Sequence, residues 1–549
     1  MSKQLAELLF PKVTLTPKDM EQKYPVRQLP QGAQVTRFAP SPTGFLHIGG
    51  VYTALVSLIT AKSSDGILYL RIEDTDKKRQ VDEGIKKIID GLAAFDIDFD
   101  EGAISETESK GNYGPYIQSQ RREIYHIYAK ELVEKDLAYP CFCTPEELEQ
   151  IREKQIQVKA NPGYYGEWSN CRNLNFEEIK ENIENGKPYV LRLKSQGDEN
   201  KKITFNDKIK GKIELPENVA DIVLLKNDGV PTYHFAHAVD DYLMRTTVVI
   251  RGDEWLSSLP THFQLFSYCG FKFPKYAHIS PIMKEEDGSK RKLSKRRDPE
   301  ASVDFYLESG YPVESVIEYL YRIINSNFEQ WRQTTKEDRS KFKFSFNKMS
   351  KSGALFDLQK LNEVSKNLIA NMTTKETVKS IIEWSEKYDR EFFEVLNKDL
   401  DYTYKIFAID REKKNPRKDM TKWSDAKNYS AYFFDEYYTE KFFLPENIQK
   451  ADAIYMLKKY IDIYDINDEN SEWFNKIKTL CDEENYTSSV KEYKKNPGKF
   501  KGHVGDISTL IRIAVTGREN TPDLCTVMKI LGEDKVKSRI HSMIDFLRG

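Results

Sequence analysis

The stretch that most limits how this chain can fold lies between residues 34 and 74. "QVTRFAP" alternates apolar and polar residues and stops at prolines, as a short strand does. "SPTGFLHIGG" follows as a loop punctuated by glycine and proline. Val51, Ala54, Leu55, Leu58 and Ile59 then recur at helical spacing, "SSDG" ends that helix, and "ILYLRIED" at 67–74 is a second apolar strand. Strand, glycine loop, helix, strand is a βαβ unit, which calls for a parallel sheet covered by helices. Ligands of such sheets collect at the carboxyl ends of the strands. Arg37, Ser41, Thr43, Gly44, His47, Gly49, Gly50, Glu73, Asp74 and Asp76 all fall on that edge.

Glycines ahead of a helix let backbone N–H groups approach a phosphate, and the helix N-terminus favours its charge. His47, at this mouth, is placed to donate to a phosphate oxygen. Taken alone, the same residues also read as a tight turn with a surface histidine. Glu73, Asp74 and Asp76 read equally as a solvated turn or a magnesium site.

A chain of 549 residues is too long for one core, so several domains are expected. With 39% hydrophobic and 31% charged residues it is a globular, soluble composition. No apolar run approaches the ~18 residues of a membrane span, and the first residues lack the apolar stretch of a signal peptide. Six cysteines make no disulfide framework, and a reducing cytoplasm is the simplest setting. Lys plus Arg is 84 against 86 for Asp plus Glu, so net charge argues neither for nor against a nucleic-acid partner. Local basic stretches such as Arg411 to Lys418 would have to meet one.

"RFAPSPTGFLHIGG" followed by "YLRIEDTD" resembles the bacterial-type glutamyl-tRNA synthetases, a group within class I. The resemblance continues through "PTYHFAHAVDDYLMRTTVVIRGDEWLSSLP", "KLSKR", "GALFDLQKL", "DREKKNPRKD" and "IAVTGRENTPDL". It implies an α/β Rossmann-like catalytic domain with an α+β insertion, followed by an all-α C-terminal half. The expected boundaries are an N-terminal extension at 1–33, the catalytic domain at 34–117 and 226–300, an acceptor-end-binding insertion at 118–225, a stem-contact helical domain at 301–390 and a helical anticodon-binding domain at 391–549. The second half of the sheet is expected to resume near 220 with "DIVLLKNDGVPTYHF".

The implied reaction joins glutamate to ATP as glutamyl-adenylate and then transfers it to tRNA(Glu). ATP is a substrate and Mg²⁺ accompanies it. Some members also charge tRNA(Gln). A cytoplasmic monomer is the family's usual form. A tRNA-independent nucleotidyltransferase that adenylates carboxylates is the alternative, and the long helical C-terminal half speaks against it. Glutamate presents two carboxylates and one ammonium, so a selective pocket needs two cations and an anion. Arg37, Glu73 and Arg251 at strand ends match the family's glutamate-binding positions, with Ala39, Ser41 and Tyr233. His237 stands where relatives often have Asn. Without the resemblance, Arg251 reads as a surface ion pair with Asp253 or Glu254.

Cys141, Cys143 and Cys171 form C-x-C-x₂₇-C inside the insertion. Some relatives hold zinc there, but Asn173 occupies the place of a helpful histidine, and Tyr164, Tyr165 and Glu167 are weak substitutes. A metal-free remnant is the expectation. "TPEE" after Cys143 reads as a capped helix start.

Two strings fit the family's lysine-rich signature: "RKLSKRR" at 291–297 and "NKMSKSG" at 347–353. The working loop must follow the last strand of the nucleotide-binding sheet. "YAHISPIMK" at 276–284 reads as that strand and "EEDGSK" as a flexible hinge. His47, Lys292, Ser294 and Lys295 are therefore the expected catalytic residues. Thr43, Gly44, His47, Gly49, Gly50, Glu254, Lys295 and Arg296 are expected around ATP. "NKMSKSG" is expected to be a loop capping the next helix.

Overall fold

The structure is a computed structural model that describes residues 2–549 except Phe45, Gln80, Lys295, Pro497 and the side chain of Lys77. It divides into two compact units, one of residues 1–305 with 317–357 and one of 306–316 with 358–549.

The first unit opens with helices α1 (Ser2–Leu9) and α2 (Pro17–Lys23), then β1 (Val35–Phe38), α3 (Ile48–Lys62), β2 (Ile67–Leu70), α4 (Gly84–Ala93), β3 (Glu101–Ala103) and β4 (Ser109–Lys110). β1 pairs parallel with β2, β2 parallel with β3, and β4 closes the edge antiparallel. The βαβ unit is therefore present as its sequence pattern requires. Its return turn needs Gly66, where a Cβ would sit 1.9 Å from the carbonyl oxygen of Gln34. The N-terminal extension is tied down: Arg27 forks onto Glu101 at 2.7 and 2.8 Å, and Arg245 donates to the carbonyl of Tyr24.

The insertion follows, with α5 (Arg122–Glu134), β5 (Ala138–Cys141), α6 (Pro145–Gln157), α7 (Phe176–Glu184), β6 (Val190–Leu193), the hairpin β7 (Lys202–Asp207) and β8 (Gly211–Pro216), and β9 (Val223–Leu225). Thr144 and Glu147 cap α6 reciprocally, with Pro145 in the first turn. β9 corrects the sequence expectation: it pairs antiparallel with β6 in the insertion's own sheet, not with the catalytic sheet. An apolar run of three residues fits either sheet, and tertiary pairing decides. The catalytic sheet resumes only after α8 (Tyr233–Leu243), with β10 (Val248–Gly252), α9 (Leu259–Tyr268) and β11 (Lys275–Ile279). β10 and β11 are parallel, and β1 lies beside β10, where Thr247 donates to the carbonyl of Val35.

The two sheet halves are separated by more than 100 residues of chain, and a buried charge network joins them. Asp241 on α8 accepts from Arg37 of β1 (3.2 Å), from Arg71 just after β2 (3.0 Å), and from Tyr69 and Thr246. Arg37, Arg71 and Asp241 are each at most 3% exposed. The neighbouring Asp240 takes Arg121 (2.6 Å), Gln118 and Tyr125 from the start of the insertion. Burial alone would raise the Asp241 carboxyl, but Arg37, Arg71 and His237 hold it well below the usual carboxylate range.

After β11 the chain makes a hairpin, β12 (Met283–Glu286) with β13 (Ser289–Lys292), turned by Asp287 and Gly288 at φ 50° and 75°. The expected flexible hinge is thus a two-residue turn of the positive-φ kind that suits hairpins. The second unit is built of α-helices from Leu358–Asn371 to Glu533–Arg548, and its buried core runs from Ile369 to Leu547 across residue 390. No helix among the described residues is long and apolar enough to cross a membrane.

Removing the charge of Asp241 leaves two buried guanidiniums without their anion. Asp241→Asn is expected to cost the first unit ~3–5 kcal/mol, read as a lower urea midpoint. Glu153→Gln, on the exposed face of α6, is the control and should stay within about 0.5 kcal/mol. An unchanged midpoint for Asp241→Asn would contradict the bracing role.

Candidate active site

Two arginines reach the carboxyl edge of the sheet, and they are mounted differently. Arg37 commits Nε to Asp241 and Nη1 to the carbonyl of Ile250, while its Nη2 makes no hydrogen bond among the described residues. Its charge is matched within the fold. Arg251, at the end of β10 and 5% exposed, has no carboxylate within salt-bridge distance among the described residues. The ion pair with Asp253 or Glu254 that its sequence context allowed is absent, and Asp253 pairs instead with Lys210 at 2.7 Å. Arg251 donates to neutral acceptors: His278 Nε2 (3.0 Å), His262 Nδ1 (3.2 Å), the Tyr233 hydroxyl (3.3 Å) and the carbonyl of Trp255 (3.3 Å). The guanidinium can only donate, so each imidazole meets it with a lone pair, and burial pushes both below their ordinary pKa. A buried cation so placed attracts an anionic ligand group without first breaking an ion pair.

Glu73 stands on the same edge and receives Arg71 at 2.9 Å. Burial raises its carboxyl more than Arg71 and Arg37 lower it. Tyr233 packs on Trp255 with ring centroids 4.1 Å apart and stacks on His237 at 5.8 Å. His237 is wholly buried, its Nε2 bonded to the Tyr276 hydroxyl at 2.8 Å and its Nδ1 2.5 Å from Asp241. Burial pushes its pKa down to about 3. His237 thus belongs to the wall behind Tyr233. Ala39 is half-buried and Ser41 exposed, in the loop that leaves β1.

Beside this pocket a cleft of about 310 Å³ is lined by His47, Gly49, Gly50, Gly252, Glu254 and Lys292 among others. His47 caps α3: its Nδ1 accepts from the backbone N–H of Gly49 at 2.9 Å. In the neutral ring the proton therefore sits on Nε2, the donor a phosphate oxygen needs. The chain after the lysine-rich loop returns to this point, where Ser302 forms a bridge with His47. Thr43 and Gly44 lie in the loop before α3 and are not among the cleft walls. Lys295 lies outside the described residues. Nearby, Asp298 takes Arg291 at 2.6 and 2.8 Å, Lys284 at 3.1 Å and the backbone N–H of Ser294 at 2.8 Å. Arg296 is exposed.

The second string, "NKMSKSG", caps no helix. Residues 354–356 run along β12: Met283 donates to the carbonyl of Ala354, and Phe356 to that of Met283. Gly353 has φ +103°, and a Cβ there would meet Met283 and the Pro281 carbonyl at 2.6 and 2.7 Å. Lys351 contributes its carbonyl, which accepts from Lys210 Nζ and the Ser280 hydroxyl, each at 2.7 Å. The string is a backbone brace within the first unit.

The acidic trio does not converge on a metal site. Glu73 pairs with Arg71, Asp76 with Arg79, and Asp74 accepts from the N–H of Ser119. Among the described residues the one converging group of metal-ligand type is Cys141, Cys143 and Cys171, whose sulfurs lie within 4.8 Å of one another. The Tyr164 hydroxyl lies 3.4 and 3.3 Å from the Cys141 and Cys143 sulfurs and accepts from the N–H of Cys171. Hydrogen bonds from Cys143 and Cys171 push the Cys141 thiol down. Cys143 and Cys171 are 3.6 Å apart, close to the ~3.8 Å between thiolates of tetrahedral zinc. The Tyr164 hydroxyl is the neighbour these thiols share, and burial keeps it a neutral phenol, a weak metal ligand.

Sequence reasoning missed Arg71, Asp207, Asp241, His262, His278 and Asp298. A signal existed for two of them: Arg71 in "ILYLRIED" and His278 in "YAHIS" interrupt apolar strands, and a polar group there must have a buried partner.

Residues 34–363 match the family of tRNA synthetases class I (E and Q), catalytic domain, and 416–544 match the anticodon binding domain. A glutamate–tRNA ligase of Acetivibrio thermocellus is 47% identical over 544 residues, covering 99% of this chain and 100% of that one. The glutamate–tRNA ligase of Clostridium perfringens strain 13 is 49% identical over 541 residues, covering 98% and 99%. A crystal structure of a glutamate–tRNA ligase from Elizabethkingia meningosepticum in complex with its amino acid superposes with TM-score 0.74 at 31% identity, over 94% of this chain and 99% of that one.

The raised carboxyl of Glu73 has a measurable consequence for any ammonium-bearing ligand held by it. Ionised Glu73 is the binding form, so affinity should fall as pH drops through a value above the ordinary ~4.3. Isothermal titration from about pH 7.5 to 5 should show this fall, and Glu73→Gln should bind weakly and without that pH dependence. A flat profile for the unaltered protein would remove Glu73 from the ligand.

Proposed function

The chain belongs to the glutamate–tRNA ligases of class I, and on that premise we propose how its residues divide the reaction. The enzyme uses ATP to attach glutamate to tRNA. The α-carboxylate of glutamate attacks the α-phosphorus of ATP and pyrophosphate leaves. The terminal ribose hydroxyl of tRNA(Glu) then attacks the mixed anhydride and AMP leaves. No protein nucleophile is needed, so the protein's part is alignment and charge stabilisation. The match to an anticodon binding domain and the full-length relatives set aside a tRNA-independent nucleotidyltransferase.

In this reading Arg251 takes one substrate carboxylate, Arg37 offers Nη2 to the other, and Glu73 takes the ammonium. Tyr233, Ser41 and the backbone at Ala39 complete the pocket. The single observation that carries it is a buried Arg251 that, among the described residues, is held by neutral acceptors only. ATP lies in the cleft of His47, Gly49, Gly50 and Glu254, with Thr43 and Gly44 at its entrance and Mg²⁺ arriving on the triphosphate. Lys292, Ser294, Lys295 and Arg296 cover the phosphates. The three cysteines are the thiolates that would hold a structural zinc cross-linking β5 to the loop after α6.

The second unit reads the tRNA. Arg411 does not face phosphate there: its guanidinium closes helix ends at the carbonyls of Ile369, Met372 and Phe407. A polar cleft of about 340 Å³ lined by Arg417, Asn428, Tyr429, Arg518, Asn520 and Thr521 suits an unpaired base better. Acceptance of tRNA(Gln) beside tRNA(Glu) would be decided at such contacts. The working form is a monomer.

ATP–pyrophosphate exchange with tRNA present tests the assignments. Arg251→Ala should raise the KM for glutamate about 10²-fold, ~3 kcal/mol for a buried charge partner. Lys295→Ala should cut exchange roughly 10²–10³-fold, and Lys351→Ala should stay within a few-fold of the unaltered enzyme. A dead Lys351→Ala beside an active Lys295→Ala would overturn this placement of the phosphate loop. Metal analysis of the purified chain should give one zinc, lost in Cys143→Ser, and a zinc-free chain would refute the cross-link.

A further inference from the structure

Arg251 does not aim itself. Its Nε–H meets Nε2 of His278, a ring with no exposure, and the other nitrogen, Nδ1, lies 2.7 Å from a carboxylate oxygen of Asp207. An arginine Nε can only donate, so Nε2 of His278 must be the lone pair. The single proton of the neutral ring is then on Nδ1, and the carboxylate of Asp207 can only accept it. The three groups form a chain whose direction is fixed at both ends.

Asp207 is itself held. It ends β7 in the insertion hairpin, is 6% exposed, and accepts from the backbone N–H of Ile209 (2.9 Å) and Lys210 (2.8 Å) and from that of His278 (3.1 Å). Burial would raise its carboxyl, but His278 and those N–H groups hold it below the usual range. On the other side of the guanidinium His262 repeats the arrangement. Its Nδ1 accepts from Arg251, which places its proton on Nε2, facing Nδ1 of His234 at 3.0 Å.

We propose that Asp207 and His278 are positioning residues for substrate binding: Asp207 fixes the His278 tautomer, and His278 aims the Arg251 guanidinium at the substrate carboxylate without neutralising it. A carboxylate in the place of His278 would orient Arg251 equally well but compete with glutamate for its charge. A neutral imidazole orients and does not compete. The Asp207 end of the chain comes from the β7–β8 hairpin of the insertion, so that hairpin sets the register of the amino-acid pocket. This inference rests on the reading of Arg251 as a glutamate ligand.

The test exploits side-chain geometry. A glutamine at 278 can place an amide oxygen where Nε2 stands and still accept from Arg251. An asparagine places its amide where Nδ1 stands and cannot reach. In pyrophosphate exchange with the full chain and tRNA, His278→Asn should raise the KM for glutamate about tenfold or more, the scale of one hydrogen bond to a charged group. Its kcat and its KM for ATP should change by no more than about threefold, and His278→Gln should keep the glutamate KM within about threefold of the unaltered enzyme. Equal effects of Asn and Gln, or parallel losses in kcat and the KM for ATP, would overturn the proposal. If Arg251→Ala itself leaves the glutamate KM unchanged, the underlying reading fails. If Arg251→Ala raises it and His278→Asn does not, only the positioning role fails. Should His278→Asn not fold, ¹⁵N NMR of histidine-labelled unaltered protein decides, with His278→Gln identifying the resonance. The proposal requires Nδ1–H at His278, and an Nε2–H or doubly protonated ring refutes it.

Discussion

The carboxylate of Asp241 is the contact on which the catalytic unit depends. It stands on a helix that the chain reaches only after the whole insertion, yet its ligands Arg37 and Arg71 come from the first strand and from the residue that follows the second. Packing alone would leave the two sheet halves joined by the edge of β1 against β10. The ion network adds a direction, since Arg37 donates to Asp241 through Nε and Arg71 through Nη1, each along its own N–H bond. Burying these charges costs several kcal/mol for each ion and is a poor route to stability for its own sake. What it gains is a fixed position for the strand ends that carry Arg37, Glu73 and Arg251.

The same network explains why two arginines at one sheet edge are not equivalent. Arg37 is neutralised from within by Asp241, and it adds shape and one remaining donor direction to the pocket. Arg251 is surrounded by imidazoles, a phenol and a carbonyl, and its charge is left over. In a dry pocket an unneutralised cation weighs heavily on which ligand binds, because little solvent screens it. Glu73 shows the converse: burial outweighs its arginine neighbours, so it gains by meeting an ammonium. Charge selectivity toward a dicarboxylate bearing one amine would follow from a cation left without a carboxylate and a carboxylate whose burial its one arginine partner does not fully offset.

Local patterns in the sequence carried the βαβ unit, the glycine loop, the capped helix after Cys143 and the charged strand ends. They failed where a distant partner decides. β9 is an apolar triplet that suits either of two sheets, and only tertiary pairing with β6 assigns it. Asp287-Gly288 is a strong hairpin turn signal, but its flanks are charged instead of alternating, so the strands were not visible. "NKMSKSG" matches a signature by residue type, but residues 354–356 just after it run along β12 and the Lys351 carbonyl takes Lys210 and Ser280, so the string is a brace. The partners of Arg251 were least legible. His262 and His278 are 11 and 27 residues away on different elements, and Asp207 lies in the insertion.

In the proposed pocket Arg251, and not Arg37, supplies the unneutralised charge that would select the substrate. A crystal structure of this chain with glutamate bound, at a resolution that separates the two carboxylates, tests it most directly. The account predicts a substrate carboxylate within about 2.7–3.1 Å of an Arg251 Nη atom, with His262 and His278 still bonded to the guanidinium and Arg37 still on Asp241. A bound glutamate with both carboxylates away from Arg251, or with Arg37 drawn off Asp241 to hold them, would contradict it.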